Sequence, residues 1–432
     1  MASTTVAPIP AADAARQNAR RASRYTARHH LWENSSLHRV RACGRTPRTS
    51  EGVSVKVSTT AGVRHAGYSG LSTCGSVWAC PVCSAKVASV RQDEITAALT
   101  AWHQTGGRVA LVTLTMRHRN GQSLSSLWDG VSGAWHAATS GAGWKAAQDL
   151  YGVPMARTVK TGARAGQTVV SQRLRTIRVI EVTHGQSGWH VHVHALVLMA
   201  GTATCSDVAA VADDMFSRWS SNLVASGFAA PTHHAGVDAR RLEGDPAAAL
   251  GEYFTKSVYV AALETARGDL KGARGSNRTP FQILGQQIVS GEVGETILSD
   301  NELDRDAAIW AEWEQASRGR RQVAWTQGLR AELLTEAEPE QTDEEIAAAE
   351  GDGEEVVSLD KHTWKQIIRK RADWAVLQAY QTSDADGAAL VAHFEQQAAA
   401  EARASASVTR WAMMIEQGAS VAEADARIAF SV

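Results

Sequence analysis

The sequence of 432 residues predicts an α+β fold in which antiparallel strands are flanked by amphipathic helices. Residues 109–115 form a β-branched run that is typical of a buried strand. Residues 176–184 and 189–199 are strand-like and are separated by a glycine-rich turn, which is the pattern of a β-hairpin. Residues 124–150 and 205–225 repeat apolar side chains at helical spacing, so we expect helices before and after the hairpin.

The composition is that of an ordinary globular protein. Hydrophobic residues make up 44% and charged residues 21% of the chain, which argues against a wholly disordered protein. No run of about 18 apolar residues is present, so no transmembrane helix is expected. The N-terminal residues lack the apolar core and cleavage site of a secretory signal, so we expect a cytoplasmic location.

Charge is divided unevenly along the chain, although the formal net charge is −1. Residues 331–432 hold 8 basic and 20 acidic side chains, whereas residues 1–330 hold 36 basic and 25 acidic ones. A basic body with an acidic appendage suggests a polyanionic partner such as nucleic acid. The alternative is that these charges only form a solvated surface.

Shifts in composition divide the chain into six predicted regions. They are a basic, poorly ordered arm at 1–40, a cysteine-rich segment at 41–95, a domain with the predicted strands at 96–290, a helical extension at 291–335, an acidic linker at 336–360 and a helical C-terminal region at 361–432. Within the third region, Asp245-Pro246 opens a predicted helix that runs to Glu264.

Three histidines alternate with valines on the second strand of the predicted hairpin. Side chains at alternate positions share one face of a strand, so His190, His192 and His194 project side by side. If the hairpin turns at residues 186–187, Glu181 lies opposite His192. Two imidazoles and one carboxylate then converge on a site for a divalent ion, with His190 as a further candidate ligand. A solvated polar face, or histidines with partners in the core, is the alternative.

Four of the five cysteines lie in the N-terminal part of the sequence. Cytosolic cysteines at such spacing favour metal binding over disulfides. Cys80 and Cys83 form a CxxC pair, which Cys74 and Cys43 would complete as a tetrahedral zinc site. Buried free thiols are the alternative. Cys205, on the helix that follows the histidine strand, is expected in the core.

Two further features are candidates for contacts with DNA. Trp189 precedes the histidines and is a candidate for stacking on a base, although most of the fourteen tryptophans are expected in the core. Lys271, Arg274 and Arg278 lie in a basic, glycine-rich segment at 271–280 that is expected to be a loop contacting phosphates. A flexible solvated loop is the alternative.

Several of these segments resemble the rolling-circle plasmid replication initiators of the HUH endonuclease superfamily. Residues 190–197, HVHVHALV, are similar to the family's His-apolar-His motif, and residues 112–118, VTLTMRH, resemble its first motif. Tyr253 and Lys256 fit the family's Tyr-x-x-Lys motif. The CPVC segment and the stretch after the tyrosine are also similar to these initiators, so that the resemblance covers roughly residues 40–335.

The Tyr-x-x-Lys pair also suits a nucleophile on chemical grounds. Residues three apart share a helix face, and a nearby ammonium lowers the pKa of a phenol from its usual value of about 10. Tyr259 points elsewhere on the predicted helix and is expected in the core. Some family members carry a glutamate one turn before the tyrosine to activate water at termination, but this position is Ala249. Glu252, another carboxylate or the tyrosine of a second subunit are the alternatives.

The resemblance implies a fold, a reaction and partners. The fold is an α/β sandwich whose central antiparallel sheet carries the histidines, with the tyrosine helix packed above it. Glu181, His192 and His194, together with His190, are implied to hold Mg²⁺ or Mn²⁺ while Tyr253 attacks phosphorus, which leaves a 5′-phosphotyrosyl bond and a free 3′-OH. The implied substrate is a plasmid double-strand origin with a single-stranded or hairpin nick site. A host helicase, a DNA polymerase and a second copy of the chain are the implied partners.

Three other functions share some of these features. A relaxase or transposase of the same superfamily would use the same chemistry with different partners. A non-catalytic, zinc-containing DNA-binding regulator would bind the origin without cleaving it. A metal hydrolase with water as nucleophile would be insensitive to replacement of Tyr253.

Overall fold

The computed structural model describes residues 11–50, 52–60, 62–158, 161–163, 165–242, 277–292, 299–334 and 340–429. These divide into two compact units, a smaller one of residues 1–18, 42–73 and 349–432 and a larger one of residues 19–41 and 74–348. Among the described helices, none combines the length and the apolar character needed to cross a membrane.

The described strands and helices are numbered in chain order. The strands are β1 (Val53–Thr60), β2 (Val63–Ser69), β3 (Arg108–Thr115), β4 (Val153–Thr158), β5 (Thr168–Arg173), β6 (Arg175–Gly185), β7 (Gly188–Met199), β8 (Val237–Arg241), β9 (Val323–Trp325) and β10 (Glu354–Leu359). The helices are α1 (Ala11–Asn34), α2 (His38–Ala42), α3 (Pro81–Gln104), α4 (Leu124–Ala138), α5 (Gly141–Tyr151), α6 (Cys205–Ala225), α7 (His233–Gly236), α8 (Pro280–Glu292), α9 (Asp300–Ala316), α10 (Leu329–Leu333), α11 (Asp343–Ala348), α12 (Lys361–Arg369), α13 (Asp373–Thr382), α14 (Asp384–Glu416) and α15 (Val421–Ala429).

The larger unit is built on a five-stranded sheet with the spatial order β8-β3-β7-β6-β9. All of its pairings are antiparallel, and β6 and β7 form the predicted hairpin. The mixture of helices with antiparallel sheets agrees with the predicted α+β class.

Alternation along the strands gives this sheet two different faces. On one face, Ile177 and Leu196 belong to an apolar cluster that packs against Leu99 and Trp102 of α3. Alternate residues of a strand share one face. Glu181, four positions after Ile177 on β6, and His194, two positions before Leu196 on β7, therefore lie on this same face, which carries the predicted metal ligands. We call it the histidine face. Helix α4 contacts β7 and helix α6 contacts β3, so the sheet also packs against helices other than α3.

The region 291–335, predicted to be a helical extension, contains a strand between two helices. After α9 the chain forms β9, which extends the sheet through the pairs Val179–Val323 and Ile177–Trp325. Val323 and Trp325 pack against the apolar cluster of the histidine face. The prediction missed this strand because three residues are too few to show a period of two.

The N-terminal arm is also more ordered than predicted. Residues 11–34 form the single helix α1. Tyr25, Leu31 and Trp32 on this helix are buried, and the Arg28 guanidinium lies 4.3 Å from the centre of the Tyr25 ring. These apolar residues are concentrated in the second half of the helix, where the many arginines conceal their helical spacing.

The smaller unit contains a three-stranded sheet, with the order β10-β1-β2, and helices α12 to α15. Its strand β10 lies in the region predicted to be an acidic linker. Val357 pairs with Val55 and Leu359 with Val53, which anchors β10 to β1. Helix α11 of the larger unit also falls in that region. The prediction missed both β10 and α11 because the many acidic residues of this region obscure the few apolar residues that pair or are buried.

Candidate functional site

The candidate site lies on the β6–β7 hairpin, where the predicted register is confirmed. Glu181 pairs with His192, which places the turn at residues 186–187. Strand β3 pairs with the other edge of β7 and brings Thr113 opposite His194. Backbone pairing on both sides therefore holds the histidine strand in place.

Glu181, His192 and His194 form a compact set of metal-ligating groups, here called the Glu-His-His triad. One ligand atom from each lies within 4.8 Å of the others. His194 Nε2 is 2.9 Å from Glu181 Oε2, and His192 Nε2 is 3.9 Å from the same oxygen. The three side chains are 25%, 16% and 9% exposed, in chain order. One carboxylate and two imidazoles with limited access to solvent suit a divalent ion that keeps open positions for substrate oxygens.

His190 lies outside the triad and contacts His118. Its Nδ1 is 2.7 Å from His118 Nε2, while His118 Nδ1 is 3.1 Å from the carbonyl oxygen of Ser187. Because a carbonyl only accepts hydrogen bonds, neutral His118 must carry its proton on Nδ1, and its Nε2 accepts from His190 Nδ1. The other ring nitrogen of neutral His190, Nε2, then carries a lone pair. His190 therefore stays a predicted ligand.

Thr113 sets the orientation of His194. Its Oγ1 lies 3.0 Å from His194 Nδ1. As long as His194 Nε2 donates to the Glu181 carboxylate, Nδ1 must accept from the Thr113 hydroxyl. If Nε2 serves instead as a metal ligand, the proton sits on Nδ1 and the hydroxyl oxygen accepts it. A hydroxyl can take either role, so Thr113 can support both states of the imidazole.

Burial and neighbouring charges set the protonation of the site. Burial lowers the pKa of His192 to about 3, in spite of the nearby Glu181 carboxylate. Burial and the neighbouring His118 lower the pKa of His190. Burial would raise the pKa of Glu181, but the hydrogen bond with His194 and the nearby histidines outweigh it, so this pKa lies below its usual value. Neutral His190 and His192 beside an ionised carboxylate are the forms that metal ligation requires.

Trp189 is not exposed for stacking on a base, contrary to the prediction. Its ring is 2% exposed and stacks on Trp313, with 5.8 Å between ring centroids. Its Nε1 donates to Glu312 Oε2 at 2.8 Å. Trp189 is odd-numbered on β7, so alternation places it on the face opposite the histidines.

Arg278 is paired within the protein. Its two terminal nitrogens donate to the two carboxylate oxygens of Asp306, each at 2.6 Å, and the Asp306 side chain is 3% exposed. The Arg278 guanidinium therefore makes a structural contact within the protein, whereas the prediction assigned this side chain to DNA binding.

Several predicted site residues lie outside the described residues, namely Tyr253, Lys256, Lys271 and Arg274, together with Ala249, Glu252 and Tyr259. The residues that flank this segment are attached to the sheet of the histidines. Leu242 donates from its backbone N–H to the Val109 carbonyl at 2.9 Å and packs in the apolar cluster of the histidine face. Arg278 and His184 exchange two backbone hydrogen bonds of 2.8 Å. The described residues on either side of positions 243–276 are therefore both hydrogen-bonded to this sheet.

Three cysteines of the larger unit form a second candidate metal site. The sulfur atoms of Cys74, Cys80 and Cys83 lie within 4.8 Å of one another, and all three side chains are buried. Close thiols without a disulfide suit zinc. Cys43 is buried in the smaller unit and stays the predicted fourth ligand. Cys205 is exposed, contrary to the prediction, because it is the first residue of α6.

His118 and Thr113 are neighbours of the candidate site that sequence reasoning did not assign. Both lie in the segment 112–118, which was singled out only as a motif resemblance. Pairing β3 with the histidine strand by alternation would have found Thr113. His118 follows the end of β3, where no periodic signal applies.

Comparison with known proteins identifies relatives in Streptomyces. The chain is 34% identical over 349 residues to "Protein rep" of Streptomyces lividans. The matched region covers 73% of this chain and 76% of the relative. It is 35% identical over 147 residues to a neomycin resistance protein of Streptomyces cyanogenus, which covers 31% of each chain. No protein-family model and no solved structure matches. The identity and coverage of the S. lividans relative show that this chain belongs to the family of Rep proteins.

Proposed function

We propose that this protein initiates rolling-circle replication of a plasmid by binding its double-strand origin and nicking one strand through transesterification. Kinship to a Rep protein supports a role in plasmid replication. The observation that carries the mechanism is the Glu-His-His triad, which lies on the sheet to which Leu242 and Arg278, described residues on either side of Tyr253 in the sequence, are hydrogen-bonded.

The predicted metal ligands and Tyr253 would carry the chemistry of this reaction. A divalent ion held by Glu181, His192 and His194, with His190 as a further ligand, would supply Lewis-acid polarisation of the scissile phosphate. The Tyr253 oxygen attacks phosphorus and loses its phenolic proton to water, while the bond from phosphorus to the 3′-oxygen breaks and this oxygen takes up one proton in exchange. The products are a 5′-phosphotyrosyl bond and a 3′-OH that a host polymerase extends behind a host helicase.

The other predicted residues position the DNA or hold the fold. Lys256 lies one helical turn after Tyr253 in the predicted helix, where its ammonium favours the phenolate and contacts the phosphate. Lys271 and Arg274 contact flanking phosphates. Because one phosphodiester replaces another, the step is reversible and requires no ATP. Cys74, Cys80 and Cys83, with Cys43 as fourth ligand, hold a structural zinc.

The test is cleavage of a labelled single-stranded origin oligonucleotide in the presence of Mn²⁺. We expect a covalent protein–DNA adduct with the parent protein and with Tyr259→Phe, and none with Tyr253→Phe. Cleavage that survives in Tyr253→Phe without an adduct would favour a metal hydrolase. Origin binding without cleavage by any of the three proteins would favour a DNA-binding regulator.

A further inference from the structure

The larger unit contains a strongly charged cleft of about 650 Å³, which we call the arginine cleft. It is lined by residues 36–40, 74–79, 317–321 and 340–344, together with Arg91, Glu314 and Val323. The loop between α9 and β9 contributes three arginines, at positions 318, 320 and 321, and the start of α2 contributes a fourth, Arg39. The part of the cleft formed by this loop is therefore basic.

Some charged groups of the cleft are already neutralised. Arg91 contacts Glu94 at 2.9 Å and Asp343 at 3.1 Å. Glu314 accepts hydrogen bonds from the hydroxyls of Ser35 and Ser36 at 2.6 and 2.8 Å. These groups hold the walls of the cleft together and are not available to a ligand.

Arg320 is also paired, with its guanidinium 2.7 Å from the Asp129 carboxylate, but two other arginines of the cleft differ. The exposed side chains of Arg318 and Arg321 form no ion pair with any residue in the described part of the chain. Arg39 is 3.6 Å from Glu344, but the two side chains are 63% and 55% exposed, so this pair contributes little. The cleft also contains the acidic side chains of Glu340, Asp343 and Glu344, so its free positive charge is concentrated at Arg318 and Arg321.

Arg321 also lies close to another positive charge. Burial and the neighbouring Arg321 together lower the pKa of Arg178, and the Nε of Arg178 has no hydrogen-bond partner among the described residues. Two guanidinium groups near each other repel, so Arg321 lies in a locally positive environment that favours a nearby anion.

We infer that the arginine cleft binds the phosphates of single-stranded DNA through Arg318 and Arg321. The volume lies within the range of small-ligand pockets, about 300–1,000 Å³, which suits a few nucleotides of one strand and not a duplex. Arginine is the side chain best matched to phosphate because its planar fork makes two parallel hydrogen bonds.

The position of the loop connects the cleft to the candidate active site. The Gln322 carbonyl accepts from the Ile180 N–H at 3.0 Å, which continues the pairing of β9 with β6 by one step. The loop that carries Arg318 and Arg321 is therefore joined to the edge of β6, the strand that contains Glu181 of the Glu-His-His triad. The inference rests on the proposed function and names a surface that binds its substrate.

The test measures DNA affinity separately from cleavage. Arg318→Ala/Arg321→Ala and a control, Arg108→Ala/Lys145→Ala, are each made in the full chain with Tyr253→Phe to prevent cleavage. The control removes the same charge from two exposed side chains outside the cleft. Binding of a fluorescein-labelled, mixed-sequence single strand is followed by anisotropy as salt is raised. A mixed sequence suffices because phosphate contacts carry no sequence information.

Loss of two phosphate contacts reduces the slope of log K against log[salt] by about 1.4 and weakens binding about 25-fold at ~0.1 M salt. We expect this of Arg318→Ala/Arg321→Ala and not of the control. Glu344→Gln should bind up to about fivefold more tightly, since it removes a negative charge from the same cleft.

An unchanged slope in Arg318→Ala/Arg321→Ala, or an equal loss in the control, would overturn the inference. So would a loss confined to duplex DNA of the same sequence. Adduct formation by the chain with Tyr253 intact is measured in parallel. If DNA binding depends on the two arginines but no adduct forms, the proposed function fails and the cleft's role in binding stands.

Discussion

Replacing Thr113 by valine should weaken metal binding without altering the metal ligands. The change keeps the shape of the side chain and removes the hydroxyl that lies 3.0 Å from His194 Nδ1. That hydroxyl can take either hydrogen-bonding role toward the imidazole, whereas valine can take neither. In the variant, His194 loses the contact that fixes its ring and the position of its proton.

The expected magnitude follows from the environment of His194, whose side chain is 9% exposed. Loss of an outer-shell partner of a metal-ligating histidine typically costs about 10- to 100-fold in metal affinity, or about 1.4–2.8 kcal/mol. A buried nitrogen left without a partner lowers the free energy of unfolding by about 1–3 kcal/mol. Thr113→Val should therefore show both losses.

The assay is calorimetric titration of the metal-free protein with Mn²⁺, together with urea unfolding. Thr115→Val is the matched control, because Thr115 lies on the same strand and face, opposite His192. It removes the same hydroxyl at a position where no side-chain hydrogen bond to a described residue is seen. Its Mn²⁺ affinity should match that of the parent, and its free energy of unfolding should change by less than about 0.5 kcal/mol. Equal Mn²⁺ affinities for the two variants would refute the assignment of Thr113 as the group that orients His194.

Three further predictions concern other parts of the protein. Cys80→Ser should lose bound zinc, measured by elemental analysis of purified protein, whereas Cys205→Ser should keep it because Cys205 is exposed; equal zinc content would contradict the cysteine site. Trp189→Phe removes the hydrogen bond to Glu312 and should lower the free energy of unfolding by about 1–3 kcal/mol while leaving affinity for single-stranded DNA unchanged; weaker DNA binding at unchanged stability would restore the base-stacking role. For His192, the folded-state pKa of about 3 lies below the ordinary value of 6.5, so the unfolded chain binds more protons. The stability of the metal-free protein should therefore fall as pH decreases from 6.5 toward 3, and urea titrations should show a smaller fall for His192→Asn.

The hairpin could be predicted from the sequence because two independent signals agree there. Alternation of valine and histidine assigns the face, and the glycine-rich turn sets the register. Together they place Glu181 opposite His192, as the structure shows. A shift of one residue would move every histidine to the opposite face, so a register error would have removed the whole site.

The parts that sequence reasoning missed depend on contacts made far along the chain. Strand β9 is three residues long and exists because β6 offers it an edge. Strand β10 lies in an acidic region, and its pairing with β1 joins residues about 300 positions apart in the sequence. Trp189 was assigned to DNA because it neighbours the histidines in sequence, but adjacent residues of a strand point to opposite faces.

The two candidate metal sites differ in what holds their ligands. The Glu-His-His triad sits on strands that are paired on both sides, and His194 is oriented further by Thr113. Backbone pairing within the sheet therefore fixes where these ligand residues lie. Cys74, in contrast, lies outside regular secondary structure, and Cys80 precedes the first turn of α3. A metal that joins such segments contributes directly to folding, which is the basis for proposing a structural role for the cysteine site and a catalytic one for the triad.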